Sequence, residues 1–345
     1  MIFQLSPNLP VKMTRHLVNV HNLDLKKGDN LVSLVCAIQM DPLENVDINT
    51  DSTFMLALEA QIRGHTLFHY LPEDLSLHEG SPYAIGCNMK VMRRKGDHFK
   101  VGPKKRIDLA EVDVVLMRQD PPFDMSYITA THFLEHIHPK TVVVNNPAEV
   151  RNAPEKLFVT LFRDLTPPTL MTRNLDEIVA FRAKHSDIIL KPIYGCGGAG
   201  VFHIKPDDEN LQALVEMFTE TKAEPIIVQR YLPEVRNGDK RIILVNGQPV
   251  GAVNRVPPKG DARANFHAGG SGRKTHLSKR EIAICKEIGP VLRQKGLMFV
   301  GIDVIGDYLT EINVTSPTGI QEINALDGIH LESLIWDAIE SQLSK

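Results

Sequence analysis

A continuous apolar run near the start of the chain, LVSLVCAI at residues 31–38, most limits how it can fold. A strand that is apolar on both faces is typical of a parallel sheet covered by helices. Phe54, Leu58 and Ile62 then recur at helical spacing, and Gly64 stands where a helix is expected to stop. HTLFHYL predicts the next strand, so the pattern indicates a parallel strand–helix–strand unit with a right-handed crossover.

This alternation continues to about residue 150 and then changes. Residues 83–107 are hairpin-like, and the strand VDVVLM, a helix near residues 126–137 and the strand TVVVN follow. NAPEKLFVTLF predicts a helix with Pro154 near its start. The next predicted helix begins at Asn174 with Glu177 three residues later, which resembles a capping box. The strands DIILKP, VFHIK and PIIVQRYL come next, with a helix near residues 211–218 before the last of them.

The last third of the chain is predicted to contain two hairpins and a helix. KRIILVNGQPVGAVNRV is predicted to turn at Asn246–Gly247, and a long polar loop then extends to His276. Ser278 and Glu281 predict a capping box for a helix that ends at Gly296. LMFVGIDVIGDYLTEINV predicts the second hairpin.

Composition bounds the class of protein. A chain of 345 residues exceeds the roughly 250–300 residues that a single core supports, so at least two lobes are expected. The net charge of −3 predicts no general attraction to nucleic acid or to a membrane, and the apolar runs are too short to span one. The four cysteines form no C-x-x-C pair, which favours a reduced, cytoplasmic protein without a zinc site: Cys36, Cys87, Cys196 and Cys285. Residues 1–30 lack a secretory signal and are interpreted as a loose leader, with Met13 as an alternative start.

A glycine-rich stretch, YGCGGAG, lies between two predicted strands. Gly195, Gly197 and Gly200 fit G-x-G-x-x-G, but a dinucleotide site needs a helix after the glycines, and VFHIK predicts a strand. The motif therefore does not indicate the dinucleotide-binding site of a dehydrogenase. A phosphate-covering lid and a merely flexible turn remain open, and Lys191 just before the loop is either a phosphate ligand or a surface lysine. GGSGRKT resembles a P-loop, but Arg273 precedes its lysine and no strand leads into it.

Polar residues at strand ends suggest where ligands bind. Asp41, the Arg118–Asp120 pair and Asn145–Asn146 each directly follow a predicted strand, and ligand crevices of open α/β sheets lie at such ends. Ordinary loop polarity is the alternative. In LTEINVTSPTG, Glu311 and Asn313 share one face of a strand, which suits either a hard-cation site or a half-buried edge strand.

Several motifs together resemble the prokaryotic glutathione synthetase family of the ATP-grasp superfamily: RQDPPFD, EKLF, SDIILKP, GCGGAG, GDKR, FVGIDVIG and LTEINVTSPTG. The resemblance covers the chain from about residue 31. It implies a parallel-sheet α/β domain at residues 31–150 and a two-lobed ATP-grasp α+β domain at residues 151–345, divided near residue 225. It also implies a cytoplasmic dimer or tetramer that joins γ-glutamylcysteine to glycine through an acyl phosphate, converting ATP to ADP and phosphate.

The resemblance also assigns site residues. It implies that ATP is bound by Lys156, Lys191, Gly195, Gly197, Gly198, Gln229, Tyr231, Leu232 and Asp239. Arg241 and Arg255 resemble the arginines that steady phosphate and the tetrahedral centre. Magnesium, or manganese in its place, is expected on Asp303, Glu311 and Asn313. Substrate is expected on Asp41, Arg118, Asp120, Ser316 and Thr318.

The magnesium assignment makes a geometric demand. Directly opposed residues of an antiparallel pair share a face, so Asp303 must oppose Glu311. We predict a three-residue hairpin loop at residues 306–308, because a regular two-residue loop would place Asp303 opposite Thr310.

The sequence departs from the family pattern at several positions, and two alternative functions remain open. Gln119, Gly200, Ser271 and Gln321 are the departures, and Ser271 and Gln321 bear on the substrate contacts. A ligase for another carboxylate–amine pair and a nucleotide-binding regulatory protein without turnover are the alternatives. Cys196 is interpreted as a small loop residue, His132 and His136 as a surface pair, and the basic residues 93–106 as a solvated hairpin.

Overall fold

The first part of the chain forms a seven-stranded sheet. The computed structural model describes residues 33–221, 223–261, 263–266 and 269–344, so the predicted leader and Met13 lie outside the described residues. The sheet contains β1 Val35–Gln39, β2 Thr66–His78, β3 Ser81–Val91, β4 Phe99–Val101, β5 Lys105–Asp108, β6 Val114–Met117 and β7 Val142–Val144. Its order is β4-β3-β2-β1-β6-β7, with β5 also pairing with β3.

The predicted strand–helix–strand unit is confirmed. β1 runs parallel to β2 and to β6, and helix α1, Ser52–Ile62, lies between β1 and β2 in the chain. The Asp51 carboxylate begins this helix by accepting from the Phe54 N–H at 2.6 Å. The hairpin-like residues 83–107 form the antiparallel part of the sheet, in which β3 pairs with β5. Helices α2, Met125–Glu135, and α3, Pro147–Asn152, follow β6 and β7.

The helix predicted in NAPEKLFVTLF, with Pro154 near its start, is confirmed but is shorter than that stretch. Helix α3 ends at Asn152, because Ala153 has a non-helical conformation, as is common before a proline. The chain restarts as the short helix α4, Glu155–Phe158, and continues in 3₁₀ turns. Phe162 leaves the helical region with φ −109° and ψ 58°, so a continuous helix is interrupted a second time.

A four-stranded antiparallel sheet follows. It contains β8 Thr169–Thr172, β9 Ile188–Pro192, β10 Phe202–Ile204 and β11 Ile226–Arg230 in the order β10-β9-β11-β8. Helices α5, Leu175–His185, and α6, Leu211–Thr221, pack on it through a core that includes Ile178 and Val215. The capping box predicted for α5 is only half formed. Asn174 caps the helix, but Glu177 accepts from the Thr172 hydroxyl instead of the capping backbone.

The third sheet has five antiparallel strands. These are β12 Asp239–Val245, β13 Gln248–Val256, β14 Ser271–Lys274, β15 Phe299–Ile305 and β16 Tyr308–Asn313, in the order β14-β13-β12-β15-β16. The turn predicted at Asn246–Gly247 is confirmed, with φ of 48° and 69°. Strand β14 lies where a polar loop was predicted. All of its residues are exposed, so the sequence carries no apolar alternation there.

Three helices complete the C-terminal half. Helix α7, Lys279–Gln294, has the predicted capping box at Ser278 and Glu281. Helices α8, Ile320–Asp327, and α9, Leu331–Leu343, follow the third sheet. Trp336 of α9 is fully buried and its indole N–H donates to the Leu56 carbonyl of α1 at 2.8 Å. The end of the chain therefore packs against the first helix. In the part of the chain that the structure describes, no helix is both long and apolar enough to cross a membrane.

Replacing Trp336 tests this contact. We expect Trp336→Ala to lower the free energy of unfolding by about 3–5 kcal/mol, because it empties a large buried volume and removes the bond to Leu56. Leu334→Ala on the same helix is the matched control, since Leu334 is 42% exposed, and should change stability by no more than about 0.5 kcal/mol. Urea denaturation measures both, and equal losses would contradict the packing described here.

Candidate active site

The β15–β16 hairpin brings the three predicted metal ligands to one face. The predicted three-residue loop is wrong, because Ile305 pairs with Tyr308 and the loop is Gly306–Asp307. The register nevertheless shifts by one residue beyond Val304, so that Asp303 opposes Glu311. Thr310 is the extra residue of this β-bulge, and its hydroxyl donates to the Asp303 carbonyl at 3.1 Å.

Asp303 is buried between two arginines of neighbouring strands. Arg241, directly opposite on β12, donates to Asp303 Oδ2 at 2.9 Å, and Arg255 of β13 lies 2.9 Å from Asp303 Oδ1. Arg255 also contacts Asp239 Oδ2 at 2.7 Å. Gly301 leaves room for this cluster, since an added Cβ would lie 3.2 Å from Arg241 Cδ. Two carboxylates and two guanidiniums therefore alternate across three strands of the sheet.

Burial and neighbouring charge act in opposition on these groups. Burial alone would raise the pKa of the Asp303 carboxyl, but Arg241 and Arg255 hold it well below its usual range. Burial raises the pKa of Asp239 to about 7, although Arg255 beside it acts in the opposite direction. Burial would lower the pKa of Arg255, yet Asp239 and Asp303 raise it above its ordinary value.

The contacts of the three predicted metal ligands differ. Both carboxylate oxygens of Asp303 contact arginines. The Glu311 side chain is more accessible, at 19% exposed. Asn313 donates to Asp303 Oδ2 at 3.4 Å, so its amide nitrogen faces Asp303. Among the residues that the structure describes, no three histidine, cysteine or acidic side chains converge into a metal-binding group. The Glu311 carboxylate and the Asn313 amide oxygen suit a hard cation, and Asp303 lies on the same face.

Two buried lysines face Glu311. The ammonium groups of Lys156 and Lys191 each lie 3.7 Å from Glu311 Oε1. Lys156 also donates to Glu155 Oε1 and to the Gly195 carbonyl. Burial lowers the pKa of Lys191, whereas for Lys156 the carboxylates of Glu311 and Glu155 outweigh burial and raise the pKa. These cations converge where the glycine-rich loop begins.

The glycine-rich loop connects β9 to β10, which pair antiparallel with Phe202 opposite Leu190. A strand after the loop is confirmed, so the arrangement is not that of a Rossmann dinucleotide site. Gly197 and Gly198 have φ of 64° and 82°. A Cβ on Gly198 would lie 3.0 Å from Asn265 Oδ1, so the loop also closely approaches the segment after β13.

A cleft of about 740 Å³ opens beside these lysines. It lies between the four-stranded sheet and β16, and contains Lys156, Lys191, Gln229, Tyr308 and Thr310. Its other charged lining residues are cationic: Arg163, Lys184 and, when protonated, His185. A cationic cleft of this size suits an anionic ligand such as a nucleotide.

The predicted adenine-reading segment lies at the end of β11. The Gln229 amide donates to the Thr169 hydroxyl at 2.9 Å, and the Tyr231 ring stacks on His203 with centroids 3.9 Å apart. The Tyr231 N–H donates to the Asp187 carbonyl, and the Leu232 carbonyl accepts from Val235. An adenine edge would therefore have to use other backbone groups of this segment.

The predicted substrate residues meet the C-terminal segment. Arg118 donates to the Pro317 carbonyl at 3.1 Å and to the Thr53 hydroxyl at 3.0 Å, and the Ser316 hydroxyl donates to the Arg118 carbonyl at 3.2 Å. Within the described ranges, Nη1 of this buried arginine has no hydrogen-bond partner. Burial lowers the pKa of Arg118.

The remaining predicted substrate residues lie at two places, with Asp41 beside Asp120 and Thr318 beside Arg241. The Asp41 carboxylate accepts from the Asp120 N–H at 2.7 Å, and the Thr318 carbonyl accepts from Arg241 at 3.3 Å. Asn145 instead has a structural role, because its amide bonds the Phe299 and Val314 backbones. Asn146 caps α3.

Sequence reasoning missed Glu155 and Thr53. Glu155 precedes Lys156 in EKLF, and its acidic side chain beside an expected phosphate-binding lysine was an available signal. Thr53 follows the capping Asp51 and resembles any residue of a first helical turn, so nothing in its local sequence marks it.

Removing the Asp303 charge tests the buried network. We expect Asp303→Asn to lower the free energy of unfolding by about 3–5 kcal/mol, because Arg241 and Arg255 stay buried without their shared carboxylate. Asp307→Asn at the exposed tip of the same hairpin should change stability by no more than about 0.5 kcal/mol. Urea denaturation at pH 7 measures both variants, and a mild effect of Asp303→Asn would show that the arginines are not held by this group.

The chain resembles known proteins over most of its length. Residues 34–151 match the family model of the prokaryotic glutathione synthetase N-terminal domain, and residues 155–328 match that of the prokaryotic glutathione synthetase ATP-grasp domain. A glutathione synthetase of Agrobacterium fabrum is 59% identical over 306 residues, which cover 89% of this chain and 96% of the relative. The Escherichia coli K12 glutathione synthetase is 45% identical over 89% of this chain and 98% of its own.

Solved structures share the fold at much lower identity. The ATP-grasp ligase PsnB, in complex with a minimal precursor, Mg and ADP, superposes with a TM-score of 0.59 at 16% identity, over 90% of this chain and 98% of PsnB. The predicted α/β architecture with an ATP-grasp part is thus confirmed. The chain belongs to the prokaryotic glutathione synthetase family.

Proposed function

We propose that the protein joins γ-glutamylcysteine to glycine, using ATP and releasing glutathione, ADP and phosphate. Family membership supports this activity. The observation that carries the site assignment is the convergence of Lys156 and Lys191 on Glu311 beside the cationic cleft. Buried ammonium groups beside an open cleft are suited to bind the phosphates of ATP.

The nucleotide is proposed to lie with its phosphates at the inner end of the cleft. Lys156, Lys191 and the backbone of Gly195, Gly197 and Gly198 would bind the phosphates. The adenine would lie against Gln229, Tyr231 and Leu232. Asp239 would contact the ribose. The location of Lys156, Lys191 and Gln229 along one cleft supports this orientation.

We propose that Mg²⁺ is held on the β15–β16 face. Glu311 and Asn313 offer oxygens, and Asp303 lies on the same face, where it would contribute when one of its arginine contacts lengthens. Mn²⁺ would find the same hard donors. The cation supplies charge neutralisation between the nucleotide phosphates and these residues.

The reaction follows from charge and position. A cysteine carboxylate oxygen of γ-glutamylcysteine attacks the γ-phosphorus and ADP leaves, which gives an acyl phosphate. The glycine amine then attacks the acyl carbon, the carbon–oxygen bond breaks and phosphate departs. Arg241 and Arg255 would stabilise the negative charge that develops, and neither step requires a protein nucleophile.

The substrate is proposed to lie between the first sheet and the segment after β16. Asp41 and Asp120 would bind an amino group, and Ser316 and Thr318 would contact a carboxylate. Arg118 would use its remaining N–H groups on a second carboxylate, which its buried, unpartnered Nη1 supports among the described residues. A different carboxylate–amine pair would require a different set of groups here.

The cellular setting is also a proposal. We infer a cytoplasmic enzyme that acts on small molecules as a dimer or tetramer. The free state of the cysteines at positions 36, 87, 196 and 285 supports a reducing compartment.

ADP release tests the activity. With γ-glutamylcysteine, glycine and Mg-ATP we expect steady ADP release, and omission of either acceptor should reduce it to background. Glu311→Gln should abolish release, because it removes a carboxylate that faces both lysines and the proposed cation. Nucleotide binding without release under these conditions would favour another substrate pair or a regulatory protein.

Nucleotide affinity tests the lysine assignment. We expect Lys191→Gln to weaken ATP binding by about 10–100-fold, as for loss of a charge-assisted hydrogen bond of about 1.5–3 kcal/mol. Lys205→Gln, at an exposed lysine after β10, is the control and should leave affinity unchanged. Isothermal titration calorimetry gives both dissociation constants. Equal affinities for the two variants would remove Lys191 from the nucleotide site.

A further inference from the structure

Glu155 is a carboxylate at the proposed phosphate site with no role in the mechanism above. It is the first residue of α4, and its side chain is 24% exposed. Its Oε1 accepts from the ammonium of Lys156, the next residue. Adjacent helical residues do not normally face each other, so this contact requires the two side chains to turn toward one another, beside the cleft that Lys156 lines.

The Lys156 ammonium faces oxygen atoms from three different parts of the fold. Glu155 belongs to α4, the Gly195 carbonyl begins the glycine-rich loop, and Glu311 Oε1 lies 3.7 Å away on β16. The first two accept hydrogen bonds from the ammonium, whereas Glu311 at this distance forms an ion pair with it. Lys156 therefore links the glycine-rich loop to helix α4 and to the β15–β16 hairpin. Within α4, its partner is the neighbouring residue Glu155.

The charges in this group balance. Lys156 and Lys191 carry two positive charges, and Glu155 and Glu311 carry two negative ones. An arriving triphosphate must compete with Glu155 for Lys156, so Glu155 opposes nucleotide affinity. A group that weakens binding of a substrate is useful where it fixes the geometry of a catalytic contact.

We propose that Glu155 is a positioning residue that holds the Lys156 ammonium toward the glycine-rich loop, so that Lys156 is aimed at the transferred phosphoryl group at the cost of nucleotide affinity. This inference rests on the proposed ligase function. It predicts opposite effects of one substitution on binding and on turnover, which loss of stability alone would not produce.

Glu155→Gln tests the proposal, with Glu149→Gln as the matched control. Glu149 is 25% exposed and bonds Lys295 at 2.6 Å away from the cleft. In Glu155→Gln we expect ATP to bind at least as tightly as in the unaltered protein, while kcat falls by about 10–100-fold because Lys156 is misplaced. Glu149→Gln should change neither quantity. Calorimetry with Mg-ADP and Mg-ATP measures binding, and ADP release measures turnover.

Other outcomes overturn the inference. An unchanged kcat in Glu155→Gln would show that the carboxylate does not position Lys156. Weaker nucleotide binding together with a higher Mg²⁺ requirement would make Glu155 a cation ligand instead. If Glu155→Gln does not fold, Glu155→Asp keeps the charge and shortens the reach, and kcat should still fall while affinity holds. If the unaltered protein binds ATP but does not turn over, the proposed function fails, and the affinity of Glu155→Gln still tests whether Glu155 competes with phosphate.

Discussion

The bond between Asp303 and two arginines is the interaction on which the rest of the site depends. Asp303 is 2% exposed, and Arg241 and Arg255 reach it from β12 and β13. A buried ion pair contributes little net stability, but leaving one partner alone is strongly unfavourable. Because Arg241 directly opposes Asp303, a shift of either strand would separate the pair, so the pairing disfavours other registers of these strands. With the register fixed, the bulge at Thr310 determines that Glu311 lies on the same face as Asp303.

The site also depends on contacts between parts of the chain that are far apart. Arg118, at the end of β6, bonds the Pro317 carbonyl, and Trp336 in the last long helix bonds the Leu56 carbonyl in the first. The proposed substrate site is thus bounded by the first sheet and by the segment after β16. The proposed nucleotide cleft is bounded by the second sheet and by β16 itself. The β15–β16 hairpin and the segment that follows it therefore border both proposed sites.

The sequence predicted the strand arrangement around this proposed site well where the signals are local. Alternation placed Glu311 and Asn313 on one face, and the apolar run after the glycines showed that the loop joins two strands. Prediction from the sequence failed where the deciding contact joins residues that are far apart in the chain. The bulge at Thr310 is part of the pairing with β15, and a one-residue shift leaves no mark on the alternation of β16. The exposed strand β14 has no apolar face, and the pairing of Arg241 with Asp303 joins residues 62 positions apart.

Transfer of isotope from substrate to phosphate tests the central claim most directly. γ-Glutamylcysteine labelled with ¹⁸O in its cysteine carboxylate would be incubated with glycine, Mg-ATP and the enzyme, and the released phosphate analysed by mass spectrometry. The acyl phosphate account predicts one ¹⁸O atom in each phosphate, because the carboxylate oxygen that attacks the γ-phosphorus leaves with it. Unlabelled phosphate accompanying glutathione formation would contradict the account.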